Sequence, residues 1–241
     1  MDNWLKRPDI AAEDPGDDGV GVFSLFDDAH GCQKFAQRVL RFRAGTSRER
    51  RHDADDEVLY VLEGSGTAVV GGTRIPLRPG VGVWVRQGAG WSVETDDRVE
   101  LLSVLVREPE PAPGPGYAVV DLLGEERRDA TAARQFVLGV TADAGCPSVT
   151  QFIGFVPPGR APDHFHRYDE VLYILEGEGT LHIGGESAPL DPGACVHLPA
   201  TLVHCLENTG EGEMLLLGVF RPSGSPAEAY YPDGTPAVYP S

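Results

Sequence analysis

The chain has 241 residues, 41% of them hydrophobic, and a formal net charge of −17. That apolar content can fill one large core or two small ones, while the acidic excess repels phosphate backbones and argues against nucleic acid as a partner. No apolar run is long enough to cross a bilayer, and four cysteines in a chain of this length do not make a disulfide framework.

Residues 1–19 are acidic, contain Pro and Gly and show no periodicity; they read as a loose arm, partly strapped across the surface. The stretch Met1-Asp2-Asn3-Trp4-Leu5-Lys6-Arg7-Pro8 lacks the apolar centre of a signal peptide, so a cytoplasmic location with reduced thiols is expected. From Val20 the chain becomes short apolar runs separated by Gly, Pro and Asp. Examples are Val39-Leu40-Arg41-Phe42, Glu57-Val58-Leu59-Tyr60-Val61-Leu62 and Val81-Gly82-Val83-Trp84-Val85. Evenly spaced strands with turn signals between them predict an all-β sandwich or barrel over 20–108. Residues 109–116 are a stiff Pro/Gly linker. The strand pattern then restarts and fills 117–222, and 223–241 reads as an extended tail. The best helical candidate, 125–134, is short and charged.

The two halves repeat each other. Glu57-Val58-Leu59-Tyr60-Val61-Leu62-Glu63-Gly64 returns as Glu170-Val171-Leu172-Tyr173-Ile174-Leu175-Glu176-Gly177. Gly71-Gly72 then matches Gly184-Gly185, and Pro79-Gly80 matches Pro192-Gly193, without a gap. Shared turns preserve strand length and register, so two copies of one barrel are expected.

Chemistry concentrates in the second half. His164 and His166 are two residues apart, so on an extended strand both imidazoles share a face. Glu170 follows four residues later, and His204 is the best further partner. Two or three imidazoles and a carboxylate suit one divalent transition metal.

These residues carry a resemblance. Gly159, His164, His166, Glu170 and Gly177 resemble the first cupin motif, and Gly193, Pro199, His204 and Asn208 the second. The first gap is one residue short, and Thr201 stands where the second motif usually has Gly. The resemblance covers roughly residues 20 to 222 and implies a bicupin, two tandem jelly-roll barrels (double-stranded β-helices). It implies His164, His166, Glu170 and His204 as ligands of one Fe, Mn, Ni, Cu or Zn ion, with open positions left for substrate, water or dioxygen. In the first half the set is broken. Depending on where a gap falls, either Arg51 and Asp53 or Arg50 and His52 match the two histidines, and Trp91 and Arg86 take the second-motif His and Pro positions. No high-affinity metal is expected there, since Arg repels a cation and an indole cannot ligate one. Packing and dimerisation are the expected roles; an anion pocket built from Arg50, Arg51 or Arg86 with Trp91 is the alternative.

Further expectations follow for the metal-bearing barrel. Leu172 and Ile174 share the face of Glu170 and would floor an apolar pocket. Tyr168, in an exposed loop at the mouth, and Glu170 could move protons, and Arg160 could hold a substrate carboxylate. Cys195 and His197 share one face, and His197 could be a base if that face is inward. The fold alone does not choose a reaction. A dioxygenase acting on a small enolisable or aromatic substrate is the leading expectation, with a non-redox isomerase or lyase, or a non-catalytic binder, as alternatives. The expected partner is a small-molecule substrate, with no nucleic acid and no membrane. Family analogy adds a homodimer in which the tail tyrosines, Tyr230 and Tyr231, cover a neighbouring barrel.

Overall fold

A computed structural model describes residues 1, 3–8 and 18–237. The fold is all-β, with two jelly-roll barrels in tandem. The only helical segments among the described residues are two single 3₁₀ turns, Asp28–His30 and Leu122–Gly124. The charged stretch 125–134 is not a helix; it contains a short strand and a tight turn. No helix among the described residues is long and apolar enough to cross a membrane.

The backbone divides into two compact units, Pro8–Gly124 with Gly139–Ser148, and Met1–Arg7 with Glu125–Leu138 and Val149–Ser241. The N-terminal unit has a six-stranded antiparallel sheet, ordered Tyr117–Asp121, Val81–Val85, Asp56–Gly64, Val99–Val106, Phe35–Phe42 and Val20–Phe26. Its second sheet is ordered Gly45–Thr46, Trp91–Thr95, Gly66–Val70 and Thr73–Leu77. Trp91–Thr95 alternates buried and half-buried residues, the period of two expected of a strand with one face on a core. Leu40, Leu59, Val83, Trp91 and Leu101 meet in that core.

The C-terminal unit repeats this plan. One sheet runs Leu5–Lys6, Cys195–Leu198, Asp169–Glu176, Met214–Arg221, Thr150–Val156, Gln135–Leu138 and Arg128–Asp129. The other runs Gly159–Arg160, His204–Asn208, Gly179–Ile183 and Glu186–Leu190. Phe152, Leu172, Ile174, Leu181, Leu206 and Phe220 are among the residues that fill the interior.

Pairing moves the boundaries read from the sequence. Residues 117–124 belong with the N-terminal unit rather than the second barrel, because Tyr117–Asp121 is the strand that flanks Val81–Val85. Residues 139–148 group with the N-terminal unit as well. The first residues of the chain belong to the C-terminal unit, where Leu5 and Lys6 pair with Val196 and Cys195. The rest of the arm, 9–17, lies outside the described residues. The tail binds its own barrel: Phe165 and Tyr230 exchange two backbone hydrogen bonds of 2.9 Å, and their rings stack at 5.6 Å.

The repeated Glu-Gly pair has a physical reason. Gly64 and Gly177 close equivalent strands at φ +81° and +84°. A Cβ would sit 2.0 Å from the Arg98 carbonyl oxygen at Gly64, and 2.8 Å from Met214 Cα at Gly177. Both neighbours are backbone and cannot swing away. Gly64→Ala should therefore destabilise by roughly 2–4 kcal/mol, read as a lower denaturation midpoint; an unchanged midpoint would mean that the hairpin yields.

Candidate functional site

Strand pairing aims the site residues. Glu170 lies opposite Leu198 and Leu172 opposite Val196, and these neighbours face the barrel interior. His164 and His204 form a bridge with reciprocal backbone hydrogen bonds of 3.0 and 2.8 Å. Directly opposed residues project to one face, so both rings enter the same space. The Thr201 amide, donating at 2.7 Å to the His166 carbonyl, ties the third histidine to the same turn. Thr201 sits at φ +67°, a conformation that favours Gly, the residue the family motif usually has there. Asn208 pins the far end of its strand, donating to the Val156 and Gly212 carbonyls at 2.8 and 2.7 Å.

The three imidazoles converge. His164, His166 and His204 offer ligand atoms that lie within 4.8 Å of one another. Each Nδ1 faces a backbone carbonyl: Pro162 at 3.0 Å, Glu228 at 2.7 Å and Leu202 at 2.9 Å, in that order. A carbonyl oxygen only accepts, so each Nδ1 carries the hydrogen and each Nε2 keeps its lone pair. Burial drives all three below the ordinary histidine value. His166 falls to about 3, with the neighbouring His164 adding to the effect, and His204 falls well below the ordinary value. They are therefore neutral, as ligation requires. The His204 Nε2 is buried without a hydrogen-bond partner. An orphaned acceptor beside two others of the same kind fits a divalent cation.

Glu170 lines the same cavity but stands outside that mutual cluster. In the protein alone a carboxylate gains nothing by facing three lone pairs. Burial raises its carboxyl to about 8 against the opposing pull of the Arg134 charge. The cavity holds about 70 Å³ and is walled by Phe152, Leu172, Leu206 and Leu216, with Arg134 and Tyr168 as further polar groups. The tail closes one side, through Pro226 and Ala229.

Several expected residues sit elsewhere. Tyr168 is not an exposed mouth residue. It is 5% exposed, with its ring between His166 at 4.6 Å and Phe220 at 4.0 Å. Arg160 is exposed, pairs with Asp163 at 3.0 Å and does not line the cavity. It lies across from Glu207, an outward position. Cys195 and His197 share a face, as expected, but they oppose Tyr173 and Val171, on the side of the sheet away from the site. Ile174 is core rather than cavity wall. Sequence reading missed Arg134 and the Glu228 carbonyl. Neither stands in a periodic segment, and only tertiary pairing brings them in.

The equivalent place in the N-terminal unit is filled by protein. Arg50 and Trp91 form the bridge that corresponds to His164 and His204. This selects the alignment with Arg50 and His52 on the histidine positions. The Trp91 Nε1 donates to Glu57 Oε2 at 2.8 Å, and His52 Nε2 stands 3.5 Å from the same oxygen. Arg38 donates to Glu57 Oε1 at 2.8 Å, and Ser103 donates to it as well. Burial alone would raise Glu57. The bond from His52, the Arg38 charge and the Ser103 bond outweigh it and hold the carboxyl below its ordinary value. The arginines offered for an anion pocket are engaged separately. Arg50 pairs with Asp18, Arg51 with Asp53, and Arg86 donates to the Ala112 carbonyl.

Similar proteins agree with this architecture. An uncharacterized protein of Aquifex aeolicus is 32% identical over 77 residues, 32% of this chain and 63% of its own length. Quercetin 2,3-dioxygenase of Bacillus subtilis is 44% identical over 46 residues, 19% of this chain and 14% of that enzyme. Each match thus spans less than two thirds of the curated relative. The crystal structure of protein Ylba from E. coli superposes with a TM-score of 0.75 at 16% identity, covering 90% of both chains. The cupin domain model matches residues 39–105 and again residues 152–220. The chain belongs to the cupin domain family, as a tandem pair of barrels.

Proposed function

We propose that the C-terminal unit is a metal-dependent enzyme of the dioxygenase type acting on a small enolisable molecule. Its ligands would be His164, His166, His204 and Glu170, around one Fe, Mn, Ni, Cu or Zn ion. The supporting observation is the convergence of three neutral Nε2 atoms on a buried cavity. Three imidazoles and a carboxylate suit a first-row divalent ion. Such an ion would supply Lewis acidity and, if redox-active, one-electron chemistry with dioxygen. The volume of about 70 Å³ favours a short chain over a polycyclic aromatic.

The remaining work falls to the chain. Phe152, Leu172, Leu206 and Leu216 keep water from the reacting groups. Burial raises Glu170 to about 8 in the protein alone, so binding the ion would displace a proton from it. Burial, with the nearby Glu170 charge, raises the Tyr168 phenol well above its ordinary value, so it stays protonated and can donate a hydrogen bond. A protonated Tyr168 phenol lining the cavity also supports a second reading, a non-redox isomerase or lyase.

Oxygen uptake separates the two. Natively expressed protein, its metal identified, is expected to consume oxygen with a member of a panel of small enolisable compounds. Turnover that persists anaerobically with Zn(II) would replace the first reading with the second. Metal-loaded protein inert under both conditions would remove both.

A further inference from the structure

We propose that Arg134 is the carboxylate-binding residue of this cavity, and that the substrate is a short-chain carboxylic acid with an apolar end. The inference rests on the reading of the cavity as an enzyme site and adds the chemical class of what enters it.

Arg134 is placed there by a turn that works against its own residues. Ala132 and Ala133 take consecutive left-handed conformations, φ +57° and +56°. The turn is closed by the Arg134 amide on the Thr131 carbonyl at 3.3 Å, and the Ala130 amide donates to the Arg134 carbonyl at 2.8 Å. Two positive φ angles in a two-residue hairpin turn favour Asn and Gly, not Ala. The turn delivers Arg134 to the head of Gln135–Leu138, with its side chain on the cavity wall.

Among the described residues the guanidinium has one protein acceptor, the Leu206 carbonyl, reached by Nη2 at 2.7 Å. Among the described residues it pairs with no carboxylate, whereas Arg127 of the same unit meets Glu213 at 3.1 Å. Its charge is felt by Glu170 and all three histidines, so it stands close to where substrate would react. The nearest carboxyl is Glu170, which lines the same cavity without pairing with the guanidinium, so a half-buried cation keeps donors free for an incoming anion. A planar fork suits a carboxylate. The cavity is also lined by Phe136, Phe152 and Leu216, which suit an apolar end.

The test is calorimetric titration of two- to five-carbon acids, pyruvate and 2-oxobutyrate among them, and of their amides, into the full chain. Metal content is measured on the same samples. At least one acid should bind wild type ten-fold or more tightly than its amide. Arg134→Gln should lose that ten-fold for the acid and leave the amide unchanged. If Arg134→Gln melts far below wild type, Arg134→Lys serves, with the acid bound more weakly than in wild type but still ahead of its amide. An acid bound no more tightly than its amide, equal acid affinity in wild type and Arg134→Gln, or no acid bound at all would each overturn the proposal. Metal-free protein that still prefers the acid keeps this inference and removes the metal enzyme. Metal-loaded protein that binds acid and amide alike does the reverse.

Discussion

His204→Ala is expected to lower bound divalent metal to below a tenth of the wild-type content on elemental analysis, with any turnover falling in parallel. Three lone pairs converge on this site, and His204 supplies the one that is buried without a partner. Loss of a residue that merely orients a ligand typically costs roughly 10–100-fold in metal affinity, so loss of a ligand should cost at least that much. The substitution leaves the backbone bridge to His164 in place, so the barrel should still fold. His182→Ala is the matched control. That imidazole is spent on Ser187 and Glu207, each at 2.8 Å, and does not line the cavity. Equal metal in His204→Ala and wild type would sink the ligand assignment.

Glu57→Gln should destabilise the chain by roughly 3–5 kcal/mol near neutral pH, because it leaves the Arg38 charge buried without its partner. The loss should depend on pH, and its sign can be worked out. Glu57 lies below its ordinary value of 4.5 in the folded chain. Its ionised form therefore contributes stability that is fully present above about pH 4.5 and is lost as pH falls through the lower folded value. The gap in melting temperature between wild type and Glu57→Gln should be widest at pH 6–7 and should close toward pH 3. A gap constant across that range would mean that the cluster acts through shape alone. The same cluster sets an expectation for repair: Trp91→His would open an imidazole opposite Arg50, and it should not bring metal into the N-terminal unit.

Much of the fold was legible because turns were written twice. Gly64 and Gly177 sit where backbone leaves no room for a Cβ, so both copies carry the same signal. The three histidines were legible because spacing on a strand fixes which side chains share a face. Parity does not say which face. Cys195 and His197 were rightly paired with each other, but only the ladder to Val171 and Tyr173 shows that they look away from the site. Counting residues also cannot place a loop insertion, so the first-half register stayed open until the Arg50–Trp91 bridge settled it. Tyr168 was misread because its neighbours in sequence are polar, whereas its neighbours in space are two rings. Arg134 gave no signal at all. Its position depends on a left-handed turn made of alanines, residues that do not announce one.

The strand Leu5–Lys6 carries a consequence for biosynthesis. Its ladder partners are Cys195 and Val196, and the neighbouring Arg7 hydrogen-bonds Asp191, 184 residues further along. At roughly 5–20 residues per second, these two residues leave the ribosome on the order of 10–40 seconds before the edge they complete exists. Until then that edge of the C-terminal sheet is unmade and the segment that will cover it is free to pair wrongly. The nascent chain therefore holds this segment in waiting, and the C-terminal unit acquires an edge strand from a part of the protein synthesised well before the rest of that sheet.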